Sequence, residues 1–164
     1  MNAVFLGLGS NIEPCRKSIE TAISLLQKKF PCPIQISPIY QTEPFGGLDQ
    51  SSYLNCCVCF STDNQAHEVL SVILEIENQL GRKRNESKWS SRSIDIDILL
   101  FGNLTLNSPE LTIPHYDLSS RDFFLVPLLD LKPDLINPST KKPIREELAQ
   151  ISLSKRTKPL RLDG

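Results

Sequence analysis

The chain has no apolar run long enough to span a bilayer, and its first residues, MNAVFLGLGS, lack the charged and apolar regions of a secretory leader. A cytoplasmic protein with no membrane partner is expected. An excess of one charge is missing as well: 18 Lys and Arg face 19 Asp and Glu, a formal charge of −1. Such a surface does not hold nucleic acid by counterion release, so basic residues matter only where they cluster. His67 and His115 stand too far apart in sequence for a metal-ligand spacing, and the five cysteines include no CxxC pair. Their odd number, and the placing of Cys56, Cys57 and Cys59 in one probable strand, argue against a disulfide framework or a zinc site. They are read as small core hydrophobes. No phosphate-loop lysine is present, and Gly7-Leu8-Gly9-Ser10 is followed by Ile12 where a dinucleotide fingerprint needs its third glycine. The two glycines are read as a tight turn beside a ligand or as a strand end. There is no internal repeat or low-complexity segment, and 164 residues suffice for a single domain over residues 1–164 with its own core.

What is there concentrates between Gly81 and Phe101, GRKRNESKWSSRSIDIDILLF. Ile94, Asp95, Ile96, Asp97 and Ile98 alternate with period two, so a strand projects both carboxylates from one face and the isoleucines from the other. Aspartate forms strands poorly, and two like charges about 7 Å apart on a partly desolvated strand call for a cation. Hard divalent ions, magnesium first, take carboxylate oxygens together with substrate phosphates. Just upstream, Arg82, Lys83, Arg84, Lys88 and Arg92 face only Glu86, and guanidinium groups match phosphate oxygens two at a time. A solvated strand face and a basic surface loop are the bland alternatives; their adjacency favours a polyphosphate clamp beside a metal site. Trp89, inside the basic stretch, is a packing anchor or a cover for a flat ligand.

Around this block the pattern predicts strands at 3–8, 34–40 and 53–61, and helices from about Pro14 to Lys29 and from Thr62 to Gly81. Thr62 and Gln65 are the expected capping box of the second helix. In the third strand, Leu54, Cys56, Val58 and Phe60 share one face and Tyr53, Asn55, Cys57 and Cys59 the other. With the aspartate strand the order is βαββαβ, so the predicted class is α+β, a ferredoxin-like antiparallel sheet backed by two helices, with a C-terminal extension. In the extension, Gly102-Asn103 is expected to turn a hairpin into a strand at 104–106, and Ser119 or Ser120 to cap a short helix through Leu129. Irregular structure is expected from Lys132 onward, with a short helix near 146–151.

Five segments together carry a family resemblance: LGSN at 8–11, YQTEPFG at 40–46, YLNC at 53–56, the 82–97 block and PHYDLSSRDFFLVPL at 114–128. The chain resembles the 6-hydroxymethyl-7,8-dihydropterin pyrophosphokinases of folate biosynthesis over nearly its whole length. That resemblance implies a ferredoxin-like fold and transfer of the pyrophosphoryl group of ATP to the pterin hydroxymethyl oxygen, leaving AMP. It implies two Mg²⁺ ions on Asp95 and Asp97, and Arg82 and Arg92 as catalytic residues on the moving group. Leu70, Glu77, Arg84, Ile98, Thr112, His115, Tyr116 and Arg121 are implied around ATP. Thr42, Pro44, Phe45, Tyr53, Asn55, Trp89 and Phe123 are implied around the pterin, Tyr53 and Phe123 as a stacking pair and Asn55 as the edge reader. The partners expected are ATP and the reduced hydroxymethylpterin, with no nucleic acid, a monomeric state, and association or fusion with dihydropteroate synthase in relatives; this chain, too short to include that second enzyme, is expected to be either free-standing or an excised module. Departures from the family pattern are Ser90-Ser91 in place of Gly-Pro, Phe45 in place of leucine, and Glu110 where a basic residue is common. The capless polar segment 82–92 is expected to act as a lid. Two other readings stand beside this one: another Mg-dependent phosphoryl or nucleotidyl transferase, which needs no pterin pocket, and a non-catalytic ferredoxin-like ligand-binding module, which needs no arginine cluster.

Overall fold

The computed structural model describes residues 1–42, 52–81 and 93–162. Eight strands and four helices alternate along these residues: β1 (Asn2–Ser10), α1 (Cys15–Lys29), β2 (Gln35–Ile36), β3 (Tyr40–Thr42), β4 (Tyr53–Thr62), α2 (Ala66–Gln79), β5 (Asp95–Phe101), β6 (Leu106–Asn107), β7 (Thr112–Ile113), α3 (Asp122–Leu131), α4 (Ile144–Gln150) and β8 (Leu160–Arg161). The main sheet runs β5-β1-β4-β3-β8, with β2 also paired to β4, and every pairing in it is antiparallel. This is the ferredoxin-like order with one added edge strand.

Period two sorts β1, β4 and β5 between two cores. Val4, Leu6, Leu8, Cys56, Val58, Phe60, Ile96 and Ile98 face α1 and α2, whose buried stripes include Ile19, Ala22, Leu26, Val69, Ile73 and Ile76. The opposite face carries Phe5, Cys57, Leu99 and Leu100 against Leu118, Phe124, Leu125 and Leu128 of the extension. A register shift between Phe5 and Leu6 keeps this sorting intact where β5 runs Leu99-Leu100-Phe101. The cysteines behave as apolar filler: all five thiols are free, and burial pushes Cys56 up to about 12 and Cys57 well above its ordinary value.

The structure corrects several sequence expectations. The strand expected at 34–40 is two short strands, because Pro38 has no N–H to give and Ser37 Oγ instead accepts the Cys57 N–H at 2.9 Å. Helix α2 starts at Ala66 rather than Thr62: Glu68 Oε1 accepts the Gln65 N–H at 2.8 Å, while Thr62 Oγ1 accepts the Asn64 N–H of the preceding turn. Gly102, at φ 53°, turns the chain, but the strand that follows pairs β6 with β7 and not with β5. Ser119 and Ser120 lie in a 3-10 turn, Leu118–Ser120, and α3 begins after them with Arg121 at its N-cap. The C-terminal region is more ordered than its proline and charge content suggested: Leu135, Ile144 and Ile151 are buried, and β8 extends the sheet by pairing with β3. Composition sees the polar surface of such a segment and misses the few apolar side chains that dock it.

Candidate active site

On the face of the sheet away from α1 and α2, the period-two registry decides which residues stand beyond the packed core. Asp95 pairs with Gly9 and Gly9 with Asn55, so one row across three strands reads carboxylate, glycine, amide. Asp97 pairs with Gly7 in the row two residues along. With strands about 4.8 Å apart, Asp95 and Asn55 stand about 10 Å from each other with bare backbone between. Gly7 and Gly9 thus lie inside a regular strand, not in the turn or strand end expected for them. A Cβ on Gly9 would come to 2.9 Å from Asn55 Oδ1, and one on Gly7 to 3.1 Å from the Phe124 ring. Their lack of a side chain is what leaves a floor.

Above that floor is a cavity of about 490 Å³. Thr42, Tyr53, Asn55, Asp95, Asp97, Arg121 and Phe123, all named from the sequence, line it together. Asn55 is buried, and its Nδ2 donates to Thr42 Oγ1 at 3.1 Å, which fixes the amide with its oxygen toward β1. Phe123 meets Phe124 edge-on with ring centroids 4.9 Å apart. Asp117, Ser120 and Arg121 form the other rim, and His115 stands beside it without lining the cavity. His115 Nδ1 accepts the Asp117 N–H at 3.1 Å, so in the neutral ring the proton sits on Nε2, which is 3.9 Å from Asp97 Oδ1. Burial, and after it the Arg121 guanidinium, lower the His115 pKa to about 4 against the opposing pull of Asp117. Asp117 is held below the usual carboxylate range by the Ser120 hydroxyl and by Arg121, whose Nε donates to it at 2.8 Å. The Arg121 guanidinium also lies 5.6 to 5.8 Å from the ring centres of Phe124, Phe123 and Tyr116.

His115 carries a pH prediction. Its folded pKa is below its unfolded value, so the unfolded chain binds the extra proton and the stability that neutral His115 contributes is lost as pH falls from about 6.5 toward 4. The difference in melting temperature between pH 7 and pH 4.5 is expected to shrink in His115→Asn; an unchanged difference in thermal scans contradicts it.

Other sequence candidates lie elsewhere. Tyr116 is exposed and stacks on His115 with centroids 4.6 Å apart. Leu70, Glu77, Ile98 and Thr112 do not line the cavity. Leu70 and Ile98 belong to the core beneath α2, Glu77 is buried with Oε2 accepting the Ile96 N–H at 3.0 Å, and Thr112 is on β7. Pro44, Phe45, Arg82, Arg84, Trp89 and Arg92, with the Ser90-Ser91 departure and the expected lid, lie outside the described residues. Gly7, Gly9, Asp117, Ser120, Phe124, Lys155 and Thr157 line the cavity without having been read as site residues. The glycines had a signal: Gly7 and Gly9 are two apart in a strand whose Leu6 and Leu8 face the core, and so share the face of Asp95 and Asp97. Lys155 and Thr157 had none, being distant in sequence from every other lining residue.

The donor set fits a hard divalent cation bound together with a ligand. Two carboxylates point from alternate positions of β5 into a cavity, and the Asp97 side chain is 42% exposed there. Among the described residues no group of three or more His, Cys, Asp or Glu could hold a metal by itself. Magnesium bound through one or two carboxylates, with water and phosphate oxygens completing the shell, needs no such group.

An antiparallel ferredoxin-like sheet with paired acids facing an amide and an aromatic side chain across one cavity defines an α+β protein with a candidate small-molecule site. Solved structures agree on the fold. A Plasmodium falciparum HPPK-DHPS structure with SDX-DHP matches at TM-score 0.74 and 18% identity over 98% of this chain and 48% of that one. An HPPK-DHPS complex with substrates matches at TM-score 0.71 and 15% identity over 90% of this chain and 43% of that one. The chain belongs to the 7,8-dihydro-6-hydroxymethylpterin-pyrophosphokinase (HPPK) family, whose model matches residues 5–133. It is 37% identical over 146 residues to the 2-amino-4-hydroxy-6-hydroxymethyldihydropteridine pyrophosphokinase of Aquifex aeolicus, covering 89% of this chain and 90% of that protein. To the namesake of Pseudomonas aeruginosa it is 36% identical, covering 82% and 83%. The folic acid synthesis protein fol1 of Schizosaccharomyces pombe matches at 38% identity, and the chain spans 20% of its length.

Proposed function

We propose that this chain transfers the pyrophosphoryl group of ATP to the hydroxymethyl oxygen of 6-hydroxymethyl-7,8-dihydropterin, giving the pterin diphosphate and AMP, as a cytoplasmic monomer in folate biosynthesis. The observation that carries the reading, within the family assignment, is one row of β-sheet in which Asp95 and Asn55 face a common cavity across Gly9. A pterin is a flat bicycle with donors and acceptors on its edge. Asn55, steadied by Thr42, presents an amide that both gives and accepts, and Tyr53 and Phe123 add aromatic side chains to the lining. Pro44, Phe45 and Trp89 are assigned to the pterin by the family resemblance alone.

The other end takes the triphosphate. Asp95 and Asp97 hold two Mg²⁺ ions, which when bound offset phosphate charge and polarise the phosphoryl oxygens. Arg82 and Arg92 bear on the transferred group, and Arg84, His115, Tyr116 and Arg121 on the nucleotide. Leu70, Glu77, Ile98 and Thr112 surround the adenosine. No side chain is assigned as general base. The hydroxymethyl oxygen attacks the β-phosphorus, the bond from that phosphorus to the oxygen retained by AMP breaks, and the hydroxyl proton leaves to solvent. The protein contributes in-line placement and charge neutralisation.

The test is to mix the protein with ATP, magnesium and the reduced hydroxymethylpterin and resolve the nucleotide products. AMP with the pterin diphosphate is expected; ADP or free pyrophosphate overturns the reading. Arg92→Ala is expected to lower kcat by about a hundredfold while raising the KM for ATP far less, since its charge meets the group as it moves. Normal turnover in that variant removes the role.

A further inference from the structure

The cavity has a wall that comes from beyond residue 133, where the family match ends: Lys155 and Thr157 line it together with Asp95, Asp97, Arg121 and Phe123. They are far from these residues in sequence, so something must hold them there. The holder is Asp122, the first residue of α3 and the neighbour of Phe123. It is 3% exposed, and its carboxylate accepts from the Thr157 N–H at 2.8 Å, the Thr157 hydroxyl at 2.5 Å and the Lys158 N–H at 3.1 Å. Three hydrogen bonds on one buried carboxylate form a strong latch, because leaving such an acceptor unpaired is costly. Lys158 follows with φ at 49°, a conformation that a side chain bearing a Cβ rarely adopts and that its surroundings must enforce. On the other side, Arg156 Nε donates to Ile151 O at 3.0 Å and Nη2 to Ala149 O at 3.3 Å, tying the 3-10 turn Leu153–Lys155 to the end of α4.

This attachment brings Lys155 to the lining of the cavity, where the residue stays exposed. Arg121, the other described cation of the cavity, is already bonded to Asp117, whereas Lys155 has no ion pair among the described residues. An exposed lysine on the lining of a ligand cavity, with no ion pair among the described residues, is suited to an anion. The pterin ring system is uncharged, so the anionic chemistry available is polyphosphate: the triphosphate of the donor or the diphosphate arm of the product. We infer that the C-terminal segment, latched by Asp122, is a third wall of the site and that Lys155 is a further polyphosphate-binding residue. The inference rests on the pyrophosphokinase reading of the cavity.

The experiment uses the full chain with magnesium and titrates wild type, Lys155→Met and Lys155→Arg with an α,β-methylene analogue of ATP and, separately, with the pterin diphosphate. Lys155→Met is expected to weaken at least one of the two by about five- to tenfold, as loss of one charge-assisted contact should. Lys155→Arg should restore it to within about twofold. Affinity for the unphosphorylated hydroxymethylpterin should stay as in wild type, which a merely structural role for the segment does not predict. The arm that weakens tells which polyphosphate Lys155 meets; wild-type affinity on both arms overturns the inference. Thr157→Val and Asp122→Asn test the latch: each should weaken the same ligand, and neither should add to the loss once Lys155 is methionine. Multiplicative losses in the double variants overturn the latch. Wild-type turnover is read in parallel. Its failure to release AMP removes the pyrophosphokinase reading, while the titrations still decide whether Lys155 binds phosphate.

Discussion

Asp97→Ala should reduce kcat by at least about a thousandfold and leave the fold intact. Carboxylate-held cations are the main means of offsetting phosphate charge in the proposed reaction, and removal of even a single preorganised charge-stabilising group costs about a hundred- to a thousandfold. The fold should survive because Asp97 stabilises little of it. Its side chain is 42% exposed, it lies on an edge strand, and aspartate is a poor strand former. The backbone pairing of Asp97 with Gly7 does not depend on the side chain. The measurements are kcat at saturating ATP and pterin over a magnesium titration, together with a thermal melt. Turnover within tenfold of wild type, or a loss of activity that tracks a loss of folded protein, sinks the metal role assigned to the pair.

The second large effect is expected where there is no side chain at all. Gly9→Ala places a methyl group 2.9 Å from Asn55 Oδ1, closer than real contacts permit, near the end of a strand but paired on both sides. The backbone cannot yield without breaking two ladders, so the amide must. As Asn55 rotates it gives up its bond to Thr42 and its presentation to the heterocycle. Loss of one or two directed hydrogen bonds in a buried site should raise the KM for the pterin by about ten- to a hundredfold, with a smaller effect on the KM for ATP. Steady-state kinetics with each substrate varied separately decide the matter. Equal effects on both substrates would mean general damage to the cavity and not displacement of the edge reader.

That the glycine matters shows where sequence and structure divide. The alternation Ile94 to Ile98 places both aspartates on one strand face before any coordinates exist, because period two is a property of extended backbone. The same argument sorted Tyr53, Asn55 and Cys57 onto one side of β4, and it holds for Gly7 and Gly9 as soon as they are read as strand rather than turn. The strand at 34–40 and the start of α2 were misjudged for a local reason. Single hydrogen bonds, Ser37 Oγ from the Cys57 N–H and Glu68 Oε1 from the Gln65 N–H, decide such boundaries, and propensity does not resolve them. The segment after Lys132 failed differently, since its docking depends on side chains that meet only after the chain has folded.

The sequence by itself determined the βαββαβ order of the central elements, the strand face on which the acids, Asn55 and Tyr53 stand, and through several coinciding motifs the family. These follow from backbone periodicity and residue chemistry, which are local. Only the tertiary structure decided that Gly9 clears the space between Asp95 and Asn55, that His115 comes within 3.9 Å of Asp97, and that Asp122 draws Lys155 and Thr157 to the cavity. Strand registry and long-range hydrogen bonds join residues as distant in sequence as Tyr40 and Arg161, and no local pattern in the chain encodes which partners will meet.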